Sequence, residues 1–401
     1  MSTSRLARAR VSVAVRVPAV LVCLVTLALG CASAPWRRDR VGIPLDELLA
    51  GAPLGVEQDS PVLVDEEAVL AVSAGMQDFL NAHVARTADR ATRLRQLAYA
   101  IISAGTFGLE YDETTRTAPE TFQARRGNCL SFSNMFVAMA RHVGLDARYQ
   151  EVDTPPDWSF KDDAFVLNRH VNVVVDLGME GEHVVDFNMD DFKTSYDRRR
   201  IPDARALAHY YNNMAVERMQ AGDTASALRY FRRAAGHDPL FSPAWTNLGM
   251  LYWRKGHLAY AEAAYLEALK ADAGDLVAMS NLASLYERRG DQERAALYRS
   301  RVIDHRERNP YYRFQLAREA FLARDYDGAI SHLHYAIRKK KNEDQFYFLL
   351  GSSYMKKGDG EAARRWLSRA EEVAAPDALK RRYSSKIDIL LSAPPDDDSQ
   401  P

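Results

Sequence analysis

Three side chains in this sequence could together do thiol chemistry: Cys129, His170 and Asp186. A nucleophilic cysteine needs a lowered pKa, a base within reach and a group that orients the base. Cys129 follows Arg126-Gly127-Asn128 and opens the apolar stretch Leu130 to His142, which contains no Gly or Pro. That stretch reads as a buried helix starting at the cysteine, where backbone N–H groups and the macrodipole favour a thiolate. Gly127 permits a sharp entry into it. His170 heads a Val-rich strand and Asp186 lies in the next one, with Gly178 and Gly181 in the turn between. An antiparallel hairpin folded there brings 170 and 186 close to opposite each other. His170 would then take the thiol proton and Asp186 would fix its tautomer. His183 competes for the role but lies nearer the turn. The bland readings stay open: Cys129 as a small buried hydrophobe, His170 as a structural strand-end residue, Asp186 as the start of a turn with Asn188, Asp190 and Asp191. That acidic group does not have the spacing of a calcium loop.

These residues need elements to position them. Glu66 to Val84 carries apolar residues at helical spacing, and a second helix is expected from Asp89 to about Ser103. Thr117-Ala118-Pro119-Glu120 reads as a capping box with Pro in the first turn. Ala147 to Val152, His170 to Leu177 and His183 to Phe187 read as strands. Helices, a cysteine-headed helix and then antiparallel strands make an α+β pattern. The insertion from Pro155 to Asn168, with Trp158 and Phe165, is expected to rim the cleft.

This stretch resembles the transglutaminase-like superfamily, in which Cys, His and Asp occur in that chain order. The resemblance covers about residues 95 to 190. It rests on Arg126-Gly127-Asn128-Cys129-Leu130-Ser131, Gly144-Leu145, Arg169-His170-Val171 and Val185-Asp186. It implies a papain-like fold with Cys129 as nucleophile, His170 as general base and acid, and Asp186 as orienter. It further implies attack on an amide carbonyl, through a thioester, by a cysteine-dependent amidase, peptidase or acyltransferase. Peptidoglycan stem peptides or proteins are the substrates that would fit. One oxyanion donor would be the Cys129 backbone N–H, and Gln123 and Asn172 are candidates for the second.

After about Ala204 the pattern is helical throughout. Tyr211, Trp245, Met279, Arg313 and Tyr347 stand 34 residues apart. Small residues recur in register at Ala215, Gly249, Ala283, Ala317 and Gly351, and again at Ala227, Ala261, Ala295, Ala329 and Ala363. The turn position reads Gly222, Gly256, Gly290, Arg324 and Gly358. Small residues are required where paired helices cross closely, and Gly ends a helix in a tight turn. The pattern resembles five tetratricopeptide repeats. By that resemblance a groove on the first helices would take a protein or peptide ligand. Met219, Met250, Trp253, Tyr311, Phe314, Phe321, Phe348 and Met355 are its candidate lining. Packing against a neighbouring domain is the other reading of the same side chains.

The N-terminus is a targeting segment. Arg5, Arg8, Arg10 and Arg16 precede the apolar run Ala19 to Gly30, which ends at Cys31. Leu27-Ala28-Leu29-Gly30-Cys31 resembles a bacterial lipobox, with Ala28 where the family usually has Leu. The resemblance implies a lipid anchor on Cys31 and, with Ala32 following, the periplasmic face of the outer membrane. An ordinary signal peptide cut after Ala32 or Ala34 is the alternative. Cys129 is then the one thiol of the mature body, which in an exported protein needs a reason.

The expected organisation is a signal peptide at 1–31, a linker at 32–60, an α+β papain-like, transglutaminase-like domain at 61–204, five repeats forming an all-α solenoid at 205–377, a capping helix at 378–392 and a disordered tail at 393–401. With 53 Lys and Arg against 54 Asp and Glu, the net charge of −1 gives no field to attract nucleic acid. No phosphate-cradling loop, paired cysteines or metal motif is present, so no cofactor is expected. Two functions fit: a thiol-dependent envelope enzyme with a protein-binding repeat domain, or a non-catalytic envelope scaffold that works through its repeats.

Overall fold

The computed structural model describes residues 42–56, 64–102, 107–152, 159–161, 164–166, 170–186 and 198–374. The expected signal peptide, Cys31, the capping helix at 378–392 and the tail lie outside the described residues. None of the described helices is long and apolar enough to cross a membrane.

The stretch expected as a linker is partly folded. Helix α1 (Leu45–Ala50) forms there because Leu45, Leu48 and Leu49 share one face, and Leu48 is buried. Tyr252 Oη donates to Leu48 O at 2.5 Å, and Arg232 donates to Leu49 O and Ala50 O. Gly51, at φ 73°, ends the helix where an added Cβ would lie 2.1 Å from Leu228. The helix expected from 66 to 84 is two: α2 (Glu66–Val69) and α3 (Ala74–His83). The break occurs because the Ser73 side chain accepts from Met76 N and starts a new helix. Next come α4 (Arg90–Ile102), β1 (Glu110–Tyr111), α5 (Ala118–Ala124) with the expected capping box between Thr117 and Glu120, and β2 (Arg126–Gly127), parallel to β1.

Helix α6 (Cys129–His142) starts at the cysteine as expected, and most of its side chains are buried. It packs on β3 (Asp146–Val152) and on β6 (His170–Asp176). A small hairpin, β4 (Ser159–Lys161) and β5 (Ala164–Val166), lies between those strands in the chain. Strands β7 (Glu182–Val185) and β8 (Arg198–Ile201) complete a four-stranded antiparallel sheet in the order β7-β6-β3-β8.

Five helix pairs follow: α7 (Asp203–Gln220) with α8 (Thr224–His237), α9 (Ser242–Arg254) with α10 (Leu258–Ala271), α11 (Leu276–Arg288) with α12 (Gln292–Arg308), α13 (Pro310–Leu322) with α14 (Tyr326–Lys339), and α15 (Asp344–Lys356) with α16 (Gly360–Val373). The small residues do what the spacing predicts: a Cβ on Gly249 would lie 2.5 Å from the Tyr265 ring. The turns inside the pairs are left-handed, with φ of 81° at Gly222 and Gly256, 77° at Gly290 and 84° at Gly358. Arg324 takes the same conformation at φ 61°.

The α+β domain and the first three repeats share one hydrophobic core, running from Leu48 through Phe136, Val173 and Tyr211 to Val302. A buried carboxylate reinforces the join. Glu151 Oε1, at the end of β3, lies 2.7 Å from His209 Nε2 on α7 and accepts from Arg205 Nε at 2.8 Å. Arg199 on β8 pairs with the other oxygen, and Arg205 also bridges to Asp238 at 2.8 Å. Burial alone would raise the Glu151 carboxyl, but His209, Arg205 and Arg199 outweigh it and hold it far below the usual carboxylate range. Arg141 on α6 adds a fork to Asp203 at 2.6 and 2.8 Å. Glu217 Oε1 accepts from Thr115 N at 2.8 Å.

Candidate functional site

Asn128 caps α6: its Oδ1 accepts from Ser131 N at 2.9 Å and its Nδ2 donates to Thr115 Oγ1 at 2.9 Å. Gly127 is required, since a Cβ there would lie 2.7 Å from Ser131 Cβ. Ser131 Oγ accepts from Arg116 N at 2.8 Å, so the loop before α5 is tied to the first turn of α6. Cys129 is a half-buried free thiol. Ser133 Oγ donates both to Cys129 O at 2.8 Å and to Val171 O at 3.2 Å, which sets β6 beside that first turn.

On the sheet, the register pairs Val173 with Val185, so Asp186 falls one step further on, beside Asn172. His170 reaches Asp186 diagonally. His170 Nε2 lies 2.7 Å from Asp186 Oδ2, and Asn172 Nδ2 donates to the same oxygen at 2.9 Å. Asp186 is 3% exposed. Burial works against a charged imidazole, but the Asp186 carboxylate and, after it, the Cys129 sulfur outweigh it and push His170 up to about 10. Asn172, a candidate oxyanion donor from sequence, instead braces the carboxylate. Gln123 is exposed, and so is His183, paired across the sheet with Val175.

The expectation of a cysteine-dependent amidase, peptidase or acyltransferase is corrected. Among the described residues no group of three or more His, Cys, Asp and Glu side chains gathers so as to hold a metal ion. Among the described residues, side-chain hydrogen bonds of ordinary geometry join His170, Asn172 and Asp186, while the Cys129 sulfur acts on His170 as a neighbouring charge. Among the described residues, what stands here is a His–Asp pair braced by Asn172 next to a cysteine, without a fully hydrogen-bonded triad.

The insertion hairpin does not simply rim this site: β5 lies beside α11 of the third repeat. Trp158 is outside the described residues.

The expected groove is divided. Met219 and Met250 are buried in the shared core and present no surface. Trp253 is half-buried, with the Arg288 guanidinium 5.4 Å from its ring. Tyr311 and Phe314 are half-buried around Phe346, with centroids at 5.6 and 5.0 Å, and Tyr311 Oη donates to Glu343 at 2.7 Å. Phe321 meets Tyr326 edge-on at 5.6 Å. Phe348 and Met355 pack on Leu367 and Ala374.

Comparison with known proteins agrees with this layout. Residues 78–185 match the transglutaminase-like superfamily, and residues 212–275 and 320–381 each match a tetratricopeptide repeat family. The chain thus has a transglutaminase-like domain followed by tetratricopeptide repeats. Over 203 residues, 49% of this chain, it is 25% identical to Tetratricopeptide repeat protein 37 of Xenopus laevis, of which it spans 13%. Over 124 residues, 31% of this chain, it is 27% identical to Anaphase-promoting complex subunit 3 of Schizosaccharomyces pombe, of which it spans 19%. Among solved structures, MamA covers 44% of this chain and 95% of its own, at 20% identity and a TM-score of 0.24. YrrB, described as a TPR protein with an unusual peptide-binding site, covers 45% of this chain and 92% of its own, at 22% identity and a TM-score of 0.24.

Proposed function

We propose that this chain is a non-catalytic assembly protein of the bacterial envelope, in which the transglutaminase-like domain terminates and rigidifies a repeat array that holds a protein partner. The observation that carries the reading is the shared core, sealed by the buried Glu151–His209–Arg205 network. A repeat solenoid needs a cap over the apolar face of its first repeat. Here the sheet and α6 supply one. The papain-like layout of helix on sheet then serves as structure, and the His170–Asp186–Asn172 set serves to lock β6 to the segment after β7.

The partner would be a protein or peptide segment bound along the first helices of repeats two, four and five. Trp253, Tyr311, Phe314 and Phe321 offer apolar area there, with Phe348 and Met355 at the far end. Such side chains take an extended or helical segment through apolar contact. Cys31, lipidated, would hold the assembly at the periplasmic face of the outer membrane, because diacyl or triacyl anchoring suffices for a folded domain.

The test places a photo-crosslinking residue at Phe321 in the full chain expressed in its host. A single defined adduct is expected, retained in Cys129→Ala and lost when Tyr311 and Phe314 are both replaced by Ala. Loss of the adduct and of cellular function in Cys129→Ala, with the fold intact, would overturn the non-catalytic reading. Radiolabelled palmitate on the parent but not on Cys31→Ala tests the anchor.

A further inference from the structure

The last two repeats hold a cleft of about 440 Å³ that the sequence does not announce. Its walls include Arg338 from the end of α14, Lys341 just beyond it, Tyr347 from α15, and Arg365, Trp366, Arg369 and one carboxylate, Glu372, from α16. Two of the three contributing elements are second helices, whereas every groove position above belongs to a first helix. The Tyr347 and Trp366 rings stack at 6.0 Å with 23° between planes. Arg365 lies 5.8 Å from the Trp366 ring, and Arg369 lies 5.9 Å from that of Tyr347. Tyr347 Oη donates to Lys341 O at 2.9 Å, which fixes that ring.

The charge is lopsided. Arg369 pairs with Glu372 at 2.6 Å, but Arg338, Lys341 and Arg365 have no acidic partner among the described residues. Like charges crowded around one cleft repel, and an anion entering it reverses the sign of that energy. The Trp366 indole N–H is also withdrawn from solvent without an acceptor, which leaves an unmet donor in the wall. All four cationic side chains are exposed, so the cleft is open to a chain passing over it. Guanidinium groups bind carboxylates through two parallel bonds, and the stacked rings below offer an apolar floor.

We propose that this cleft docks an acidic peptide segment of a partner protein. Its carboxylates meet Arg338, Lys341 and Arg365, and an adjacent apolar side chain rests on the Tyr347–Trp366 stack. The proposal deepens the assembly reading by giving the chemistry of one partner, but it stands on residues outside the first-helix groove.

The probe is a fluorescein-labelled peptide of alternating Asp and Leu, titrated into the full chain and read by anisotropy, with an Asn-for-Asp copy as control. Saturable binding is expected for the Asp peptide only, weakening with added salt. Arg338→Ala and Arg365→Ala should each weaken it roughly tenfold, as expected for losing a charged hydrogen-bond partner. Both residues are exposed, so circular dichroism should be unchanged. Equal binding of the Asn peptide, or unchanged binding in both folded variants, overturns the proposal. Binding that appears only after residues 393–401 are deleted would make the chain's own Asp396–Asp398 the occupant and would equally overturn it. Loss of peptide binding with the Phe321 crosslink intact removes this dock alone, whereas the converse removes the groove reading alone.

Discussion

Leu248 in the second repeat and Leu333 in the fourth are both buried completely, yet they belong to different structures. Leu248 lies in the core that the first three repeats share with the transglutaminase-like domain. Leu333 lies in a small cluster with Ala317, Ala336, Phe346 and Leu350. The seam falls between α12 and α13. The last turns of α12, Asp304-His305-Arg306-Glu307-Arg308, are polar and largely exposed, so little apolar surface is left to bury there. Solenoid stability is a sum of repeat and interface terms, and one weak interface divides the sum. The comparison teaches that identical helix-pair grammar yields a braced block and a loosely coupled one, according to what each repeat has for a neighbour.

The largest effect should come from Glu151. Replacing it with Ala leaves His209, Arg205 and Arg199 without their shared carboxylate in a buried join. Breaking such a buried pair costs about 3–5 kcal/mol. Urea unfolding followed by Trp245 fluorescence and by helix content should show the α+β domain and the first repeats failing together. Separate transitions for the two would break the idea of a single block.

Leu248→Ala and Leu333→Ala should each cost about 2–5 kcal/mol where they sit. Hydrogen exchange should show Leu248→Ala exposing α6 and β6 as well as α9. Leu333→Ala should expose α13 to α16 and leave α6 unchanged.

A smaller, pH-dependent effect belongs to His170. Its folded pKa, about 10, lies above the ordinary 6.5. The stabilisation is therefore fully present below about pH 6.5 and is lost as pH rises through 10. Stability of the first block should fall between about pH 6.5 and pH 10. Asp186→Asn should flatten that slope and return the His170 titration, read by NMR, toward or below its ordinary value. His332 and His334, in the second block, are lowered by burial first and by Arg313 and Arg338 second. Their contribution runs the other way: it is present above 6.5 and lost as pH falls.

The smallest effect is Arg324→Gly. The left-handed backbone at φ 61° strains a side-chain-bearing residue. Glycine should raise the stability of the second block by up to about 1 kcal/mol, less what its added freedom when unfolded takes back. A melting curve of the full chain would show it in the lower transition.

Much of this was readable in the sequence where local chemistry decides. The period of 34 is visible because Gly249 must clear the Tyr265 ring. The start of α6 is visible because Asn128 is a capping residue beside a glycine that admits no Cβ. Thr117 and Glu120 are legible for the same reason. The His170–Asp186 approach is half legible: the hairpin is, but the 3-10 turn at Gly178–Glu180 sets a register that puts Asn172, not His170, beside Asp186. Strand β8 is hidden in Arg198-Arg199-Arg200-Ile201, whose side chains show no apolar alternation. The Glu151–His209 contact spans 58 residues and depends on docking that no local pattern encodes. The cleft on α14 to α16 is similarly tertiary, assembled from surface arginines unremarkable one at a time.

Native-state hydrogen exchange of the full chain, read peptide by peptide across mild denaturant, tests the single-block claim most directly. The slowest amides of α6 and β6 should share one opening free energy and one denaturant slope with those of α7 to α11, and α13 to α16 should open at lower cost. If α6 and β6 stay protected while α7 to α11 exchange freely, the transglutaminase-like domain is an autonomous unit and the account of it as the built-in cap of the array is wrong.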